Sequence, residues 1–430
     1  MSVDVDSGRV EPASSTTDSS GPTRAPDSGI RRFAAFHNPT FLRFWMAITL
    51  ALAGLWVRIT VQGYLIYDLS HDKFLLGLAG FLSALPVLLL SPVVGVVVDR
   101  FERKRILLAT QSFMALCLFT LATLDAVGVL TVTHILIIAS LAGGASAFDW
   151  PARLSLVPNL VTQDELPSAV ALNSAAFNGA RIIGPVIGGV LIGVIGTALC
   201  FYVSAIAFLP SIVFLLTLTL DRRLPDQRPA ESALQNLLGG YRYIWSSSTL
   251  RSLLSVDLFP VMFGMSFVAL LPAVTRDTYQ VGSGGLGLLF AADGAGALLG
   301  VMVIAILTGL RNRGRLVIIG VFLFAVMQIG FAAAPTLALG MALIFLMGCV
   351  GSIYATLNDT LVQTVVDDEY RGRVMAVYST FWGLTPIGYL EAGFVASHWG
   401  TQVAIGINGG IVLLYVLALI RWNPEIRTLQ

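Results

Sequence analysis

Long apolar runs alternate with short polar breaks along this chain, at 41–66, 75–98, 106–127, 133–152, 168–195, 198–220, 252–274, 284–310, 316–335, 337–357, 373–396 and 401–421. Each run is near or above the roughly 20 residues that a helix needs to cross a hydrocarbon layer. The strict apolar–polar alternation of a membrane β-barrel strand is absent. The pattern therefore predicts an all-α integral membrane protein of twelve transmembrane helices. Residues 1–36 are rich in Ser, Thr, Asp, Pro and Gly and hold no apolar stretch, so a disordered tail is expected there. The longest polar break, 221–250, divides the runs six and six. It predicts one bundle over 37–220 and a second over 251–430 that ends in a short tail. Inside the break, Leu234, Leu237, Leu238, Tyr241 and Trp245 recur every three or four residues. That spacing fits either an amphipathic helix on the membrane surface or a solvated linker.

Composition agrees with the pattern. Hydrophobic residues make up 56% of the chain and charged residues 12%, about half the charge of a soluble domain. The distribution of charge says more than its sum. With the amino terminus inside, 22 of the 26 basic residues fall on the inner side, only Lys73 and Arg276 fall outside, and Arg58 and Arg181 lie within helices. Basic residues stay on the cytoplasmic side, so both termini are expected in the cytoplasm and the protein in the cell membrane. Cys117, Cys200 and Cys349 all sit inside predicted helices, without a disulfide framework or metal spacing. The only lysines, Lys73 and Lys104, do not follow a glycine-rich phosphate loop, which argues against an ATP-driven pump. With no nucleophile, cofactor or metal constellation, no enzyme is expected, and nothing points to a nucleic-acid partner.

The two halves resemble each other. Leu76-Gly77-Leu78 recurs as Leu286-Gly287-Leu288 at an offset of 210, which also sets Arg103 and Arg105 on Arg313 and Arg315. At an offset of 205, Leu156-Val157 meets Leu361-Val362, Ala171 meets Ala376, and Gly188 meets Gly393. Similar offsets at corresponding helices point to an internal duplication, as in parallel six-helix repeats.

Between spans 2 and 3 stands Gly95, then Asp99-Arg100, then Arg103-Lys104-Arg105. This run resembles the signature loop of the major facilitator superfamily, with Glu102 in place of its second glycine. Asp149-Trp150-Pro151-Ala152-Arg153, Asp164-Glu165-Leu166-Pro167 and Tyr370-Arg371-Gly372-Arg373 are similar to the superfamily branch of enterobactin-exporter-like, drug:proton antiporters. The resemblance implies that Asp99 latches onto the start of span 11 near Arg373, and that the loop arginine reaches Asp149. Gly184-Pro185 and Gly188-Gly189 in span 5 look like the helix-5 motif of proton-coupled exporters, with Ala180 in place of its first glycine. Their bland reading is helix packing, since small residues let membrane helices approach.

Ionisable groups inside a bilayer are costly and are functional candidates by default. Arg58, Arg181, Asp293 and Glu391 lie well inside spans 1, 5, 8 and 11. At about 1.5 Å per residue, Arg181 lies about 20 Å from the inner side and Asp293 about 16 Å, so the two are nearly level. Arg58 and Glu391 come out level nearer the outer face. Arg181 and Asp293 serve proton coupling or form a static ion pair, and Glu391 serves coupling or is an outer-cavity residue that snorkels to water. Asp68, Asp125 and Asp257, near span ends, read as solvated caps, and His134, at the outer start of span 4, as a bland position.

Candidate cavity positions are Trp56, Gln62, Phe259, Phe263, Phe267, Met347, Tyr354 and Asn358, which would equally serve packing. The mixture suits a bulky amphipathic molecule such as a drug, siderophore or other metabolite. The expected protein is a monomeric, proton-coupled exporter whose partners are lipid, a small-molecule substrate and protons. An uptake symporter or facilitator on the same fold, and a non-transporting receptor, are the alternatives.

The charge split carries a direct test. Gly128→Cys and Gly282→Cys should react with a membrane-impermeant maleimide on intact cells, and Glu102→Cys should not. Labelling of Glu102→Cys from outside would reverse the orientation.

Overall fold

The computed structural model describes residues 30–219, 233–306 and 312–423. Most of the expected tail, the first part of the linker at 221–232 and the carboxy-terminal tail at 424–430 lie outside the described residues. The described part of the tail is ordered: Ile30–His37 forms a 3-10 helix in which Ala35 is buried.

The short polar breaks supply the helix caps. Asn38 Oδ1 accepts from the N–H groups of Thr40 and Phe41 at the start of α1 (Pro39–Ser70). Asp72 accepts from Phe74 N–H at the start of α2 (Lys73–Arg100), and Thr131 and His134 form a capping box on α4 (Val132–Leu156). Each such cap satisfies a backbone donor that would otherwise be stranded near lipid. Helix α3 is Arg103–Ala126.

Leu166–Ile206 is continuous as α5 except at Gly196, where φ is 79° and ψ is 173°. Glycine takes that positive φ without steric cost. The chain reverses there, between the fifth and sixth expected spans, and the sixth crossing finishes as α6 (Leu209–Thr217). The seventh crossing is α8 (Ser248–Phe259) and α9 (Phe267–Ala273), joined by a π-helical turn at Pro260–Gly264. Helices α10 (Ser283–Ile306), α11 (Arg313–Ala332) and α12 (Leu337–Val365) follow. The eleventh crossing is broken into α13 (Asp368–Trp382) and α14 (Thr385–Trp399), and α15 (Thr401–Trp422) is the last.

Among the described residues ten helices are long and apolar enough to span a membrane. One of them, Leu166–Thr217, holds two crossings, and the broken eleventh is not among the ten. The twelve-helix, two-bundle architecture is therefore present. Its members pack mainly within their own half: α1 on α5, α2 on α4, α10 on α12, and α11 on α12 and α15. Between the bundles the major joints are α2 with α14 and α5 with α10.

The second part of the linker forms a helix, α7 (Ala233–Ser246), on which Tyr241 and Trp245 of the expected apolar stripe are exposed. It docks on α13. Gly240 lies against the Arg373 carbonyl, and the Tyr243 ring stacks on Tyr370 at 4.4 Å. Tyr243 donates to the Asp367 carboxylate at 2.8 Å, which holds the phenol above its usual range.

The bundles touch most closely opposite the face that carries the basic loops, hereafter the basic face. Gly77 of α2 packs on Gly393 of α14, and Gly189 of α5 on Gly287 of α10. A Cβ on Gly77 would lie 2.3 Å from the Tyr389 carbonyl oxygen, and one on Gly189 would lie 2.7 Å from that of Ser283. Backbone cannot move aside as a side chain can.

Gly77→Val should therefore disfavour the closed far face, at an overpacking cost of about 1–3 kcal/mol. Spin labels on Gly128→Cys and Gly282→Cys should move apart in that background. Gly179→Ala, which meets nothing within 4 Å, is the control and should leave the distance unchanged.

Candidate translocation and gating site

Arg181 and Asp293 project from facing helices of the two bundles. The guanidinium Nη2 lies 3.8 Å from Asp293 Oδ2, and both side chains are mostly buried. The neighbouring Ile182 packs against Gly294, and Tyr389 of α14 lies within electrostatic reach of Arg181. Three helices thus converge on one ion pair within the bilayer. Pro185, four residues after Arg181, has no N–H, so the Arg181 carbonyl loses its helical donor. The motif glycines around it have separate duties. Gly184 admits Trp56, and Gly188 admits Thr60, both from α1 of the same bundle, whereas Gly189 meets the other bundle.

The far face carries a second set of ion pairs. Lys73 lies 3.0 Å from Asp277, Tyr67 donates to Asp277 at 2.6 Å, and Arg276 pairs with Asp68. Lys73 and Arg276 are the two basic residues that break the charge rule, and both bridge the bundles. Asp68 is thereby an ion-pair partner and not a solvated cap. Asp277 carried no signal beyond its place in a polar break.

The signature loop lies between α2 and α3. A Cβ on Gly95 would meet nothing within 4 Å, and Arg100 is exposed. The Asp99 side chain, and with it the expected latch near Arg373, lies outside the described residues. Arg103 opens α3, Lys104 donates to the Leu218 carbonyl beyond α6 at 2.5 Å, and Arg105 pairs with Glu102 at 2.7 Å. Asp149 is not reached by the loop arginines. It is buried on α4, paired with Arg153 one turn on, and accepts from Thr110 and Gln111 of α3. An i, i+4 spacing made that local partner available from the start.

Arg58 is buried within its own bundle and donates to Gln62 at 2.7 Å. It lines a small cavity with Leu55, Met114 and Ser146. Glu391, on α14, is not brought to it. One Glu391 carboxylate oxygen is buried without a partner, and its polar neighbour is Asn408 of α15.

The cavity candidates divide differently from expectation. Phe267 packs on Phe331, Tyr354 on Phe324, and Met347 is fully buried, all inside the second bundle. Phe259 stacks on Tyr415 of α15 at 3.9 Å with Phe263 beside it. Trp56 packs on Phe177 within the first bundle, Gln62 is taken up by Arg58, and Asn358 is buried with both side-chain polar atoms unpaired. Gln62, Phe267, Met347, Tyr354 and Asn358 are thus buried within the bundles, whereas Trp56, Phe259 and Phe263 are half-buried.

Asp257 also departs from the reading as a solvated cap. It is 4% exposed, and Tyr378 of α13 donates toward it. Asp125 accepts from Thr197 at 2.5 Å, and His134 belongs to the α4 cap.

Comparison with known proteins establishes the family and the fold. The sequence profile of a family described as transmembrane secretion effector, within the major facilitator superfamily, matches residues 30–429. The multidrug efflux pump Tap of Mycolicibacterium fortuitum is 26% identical over 91% of this chain and 97% of its own. The enterobactin exporter EntS of Shigella boydii is 26% identical over 92% of this chain and 94% of its own. A bacterial homologue of the lysosomal transporter Spinster, solved inward-facing and unoccupied, superposes with a TM-score of 0.72 at 14% identity. That match covers 93% of this chain and 98% of the other.

The buried Asp149–Arg153 pair predicts a stability effect. Asp149→Ala strands a buried guanidinium and should cost about 3–5 kcal/mol. Glu102→Ala removes an exposed pair and should change little. Thermal unfolding of the purified protein in detergent compares the two.

Proposed function

The chain belongs to the transmembrane secretion effector family of the major facilitator superfamily, and on that premise we propose that it exports a bulky amphipathic small molecule in exchange for protons. A member of this family is a multi-pass secondary transporter and not an enzyme. The relatives named as a multidrug efflux pump and an enterobactin exporter support the outward direction. We place the basic face and both termini in the cytoplasm, the protein in the cell membrane, and the working unit as a monomer. The far-face seal then makes this conformation inward-facing, ready to take cargo from the cytoplasm.

The observation that carries the coupling is the Arg181–Asp293 pair, at 3.8 Å and shared between the bundles. While the pair is intact, the arginine neutralises the carboxylate. When the bundles rock and the partner withdraws, a proton takes its place, because a lone carboxylate in low dielectric is costly. Proton occupancy and conformation are thereby linked, by about 1.4 kcal/mol for each tenfold difference in proton affinity between the two states. The proposed latch through Asp99 would act at the opposite end of the same motion.

Asp293→Asn keeps the shape of the side chain and removes its proton chemistry. Flux of labelled amphipathic compounds in proteoliposomes, with and without a pH gradient, provides the test. The variant should lose uphill export by about tenfold or more while retaining downhill exchange. Uphill export at the normal rate would make the pair structural and leave Glu391 as the next carboxylate to examine.

A further inference from the structure

Two carboxyl groups of the second bundle contact a single phenol. Tyr378 Oη, on α13, lies 2.7 Å from Asp257 Oδ2 of α8 and 2.6 Å from Asp359 Oδ1 of α12. Both separations are those of a hydrogen bond between oxygens. A phenol carries one proton and can direct it to only one of the two carboxylates. The other contact needs a proton of its own, or it is a close approach of two lone pairs inside the protein.

Among the described residues no cation is paired with either acid, and the charge that acts on Asp257 is that of Asp359. The arginines of the surrounding helices are engaged elsewhere: Arg251 lies over Trp245, Arg371 donates to the Gln363 carbonyl, and Arg373 lies over Tyr370. Arg313 and Arg315 stand in the first turn of α11 at the basic face. On α15, Tyr415 is stacked on Phe259. The remaining titratable neighbour is Tyr354 of α12, which feels the Asp257 charge. One turn from Tyr354 on the same helix face, Asn358 is fully buried with neither its amide nitrogen nor its oxygen paired. The interior around the acids is therefore polar but short of partners, and a polar group left so is costly.

We propose that Asp257, Tyr378 and Asp359 form a proton-binding site in which the two carboxyl groups share one proton through the phenol. In one form Asp359 is neutral, its O–H donates to the Tyr378 oxygen, and the phenol donates to the Asp257 carboxylate. In the other form both protons have shifted along the chain, Asp257 is neutral, and Asp359 accepts from the phenol. The net charge of the cluster is −1 in both. Asp359 is the more exposed of the two acids and lies nearer the basic face, so it is the point of entry. Asp257, at 4% exposure, is the inner end. The shared proton fastens α8, α12 and α13 to one another, and its loss would leave two carboxylates repelling across a single hydroxyl.

This site does not depend on the proton-driven reading of export. It concerns a proton held by the resting protein, and the experiment needs no cargo. Infrared difference spectroscopy on the purified full-length protein in lipid nanodiscs, with isotope-labelled aspartate at neutral pH, reads the carbonyl stretch of a protonated carboxyl. Wild type should show one such band that shifts in heavy water, and Asp257→Asn and Asp359→Asn should each abolish it. Tyr378→Phe should move the band without removing it, which keeps the test open if an Asn variant folds poorly. Asp293→Asn should leave it in place. A wild type without the band overturns the site. Its persistence in both Asn variants, or its loss in only one of them, overturns the sharing.

Discussion

Two glycine pairs set how closely the bundles can approach, and the rest of the central architecture hangs from them. Gly77 on Gly393 and Gly189 on Gly287 bring backbone to backbone near the far face, which side chains would prevent. Small residues serve this purpose in membranes because lipid offers helices no hydrophobic reason to associate. Asp293 is six residues beyond Gly287 along α10, and Arg181 is eight before Gly189 along α5, so the ion pair lies below the seal by about 9–12 Å. The pair thus lies between the seal and the basic face, on the same two helices that a rotation opening the seal would move. The same duplicated segments provide both contacts: Gly77 corresponds to Gly287, and Gly393 corresponds to Gly188, beside Gly189. One ancestral pair of spans, the second and the fifth, when repeated yields two pseudo-equivalent joints.

The charges that break the general pattern make sense at this seal. Lys73 and Arg276 stand on the otherwise poorly basic face because each bridges the bundles, to Asp277 and to Asp68. Such partly exposed pairs are weak individually, so they serve as an adjustable clasp on top of the glycine contact. A clasp of modest strength suits a transporter, whose two conformations must remain close in free energy for either to be reached.

Much of this was legible in the sequence, and the remainder failed for one physical reason. Runs of apolar residues and the split in charge disclose crossings because lipid tolerates little else. Gly196 falls in the gap between two expected spans, and Arg181 and Asp293 were matched by their depth and by the facing of spans 5 and 8 that the family resemblance implies. The azimuth of a helix is another matter. In water a polar face marks the outside, but in a bilayer both the lipid-facing and the packed faces are apolar, so the pattern that tells inside from outside is lost. Hence Phe267, Met347 and Tyr354, expected along a cavity, fill the second bundle instead. The same blindness made Asp257 look like a solvated cap, and left Asp359 and Tyr378 without notice, because their meeting joins two consecutive helices to a third that lies 121 residues before Tyr378. Asp149 erred in the opposite direction: a family-derived partner was expected where Arg153, one turn away, already occupied it.

The two halves also neutralise their buried acids differently, and this bears on which of them can respond to protons. Toward the basic end of α4, Asp149 is held by Arg153 and by donors from Thr110 and Gln111, a fixed arrangement that needs nothing from solvent. Toward the corresponding end of α12, Asp359 meets Tyr378, and the residue one turn after it is Gln363, whose carbonyl accepts from Arg371. The partner of Asp149 is a permanent cation, because arginine does not release its proton. Among the described residues, Asp359 is instead joined through a phenol to another acid. Duplication gave the halves one scaffold; at this level their side chains have since placed an acid–arginine pair in one half and two acids on one phenol in the other. If the rocking motion exchanges contacts at the basic face, it does so between a bundle whose acid is held by a cation and one whose acids are held by the proposed shared proton.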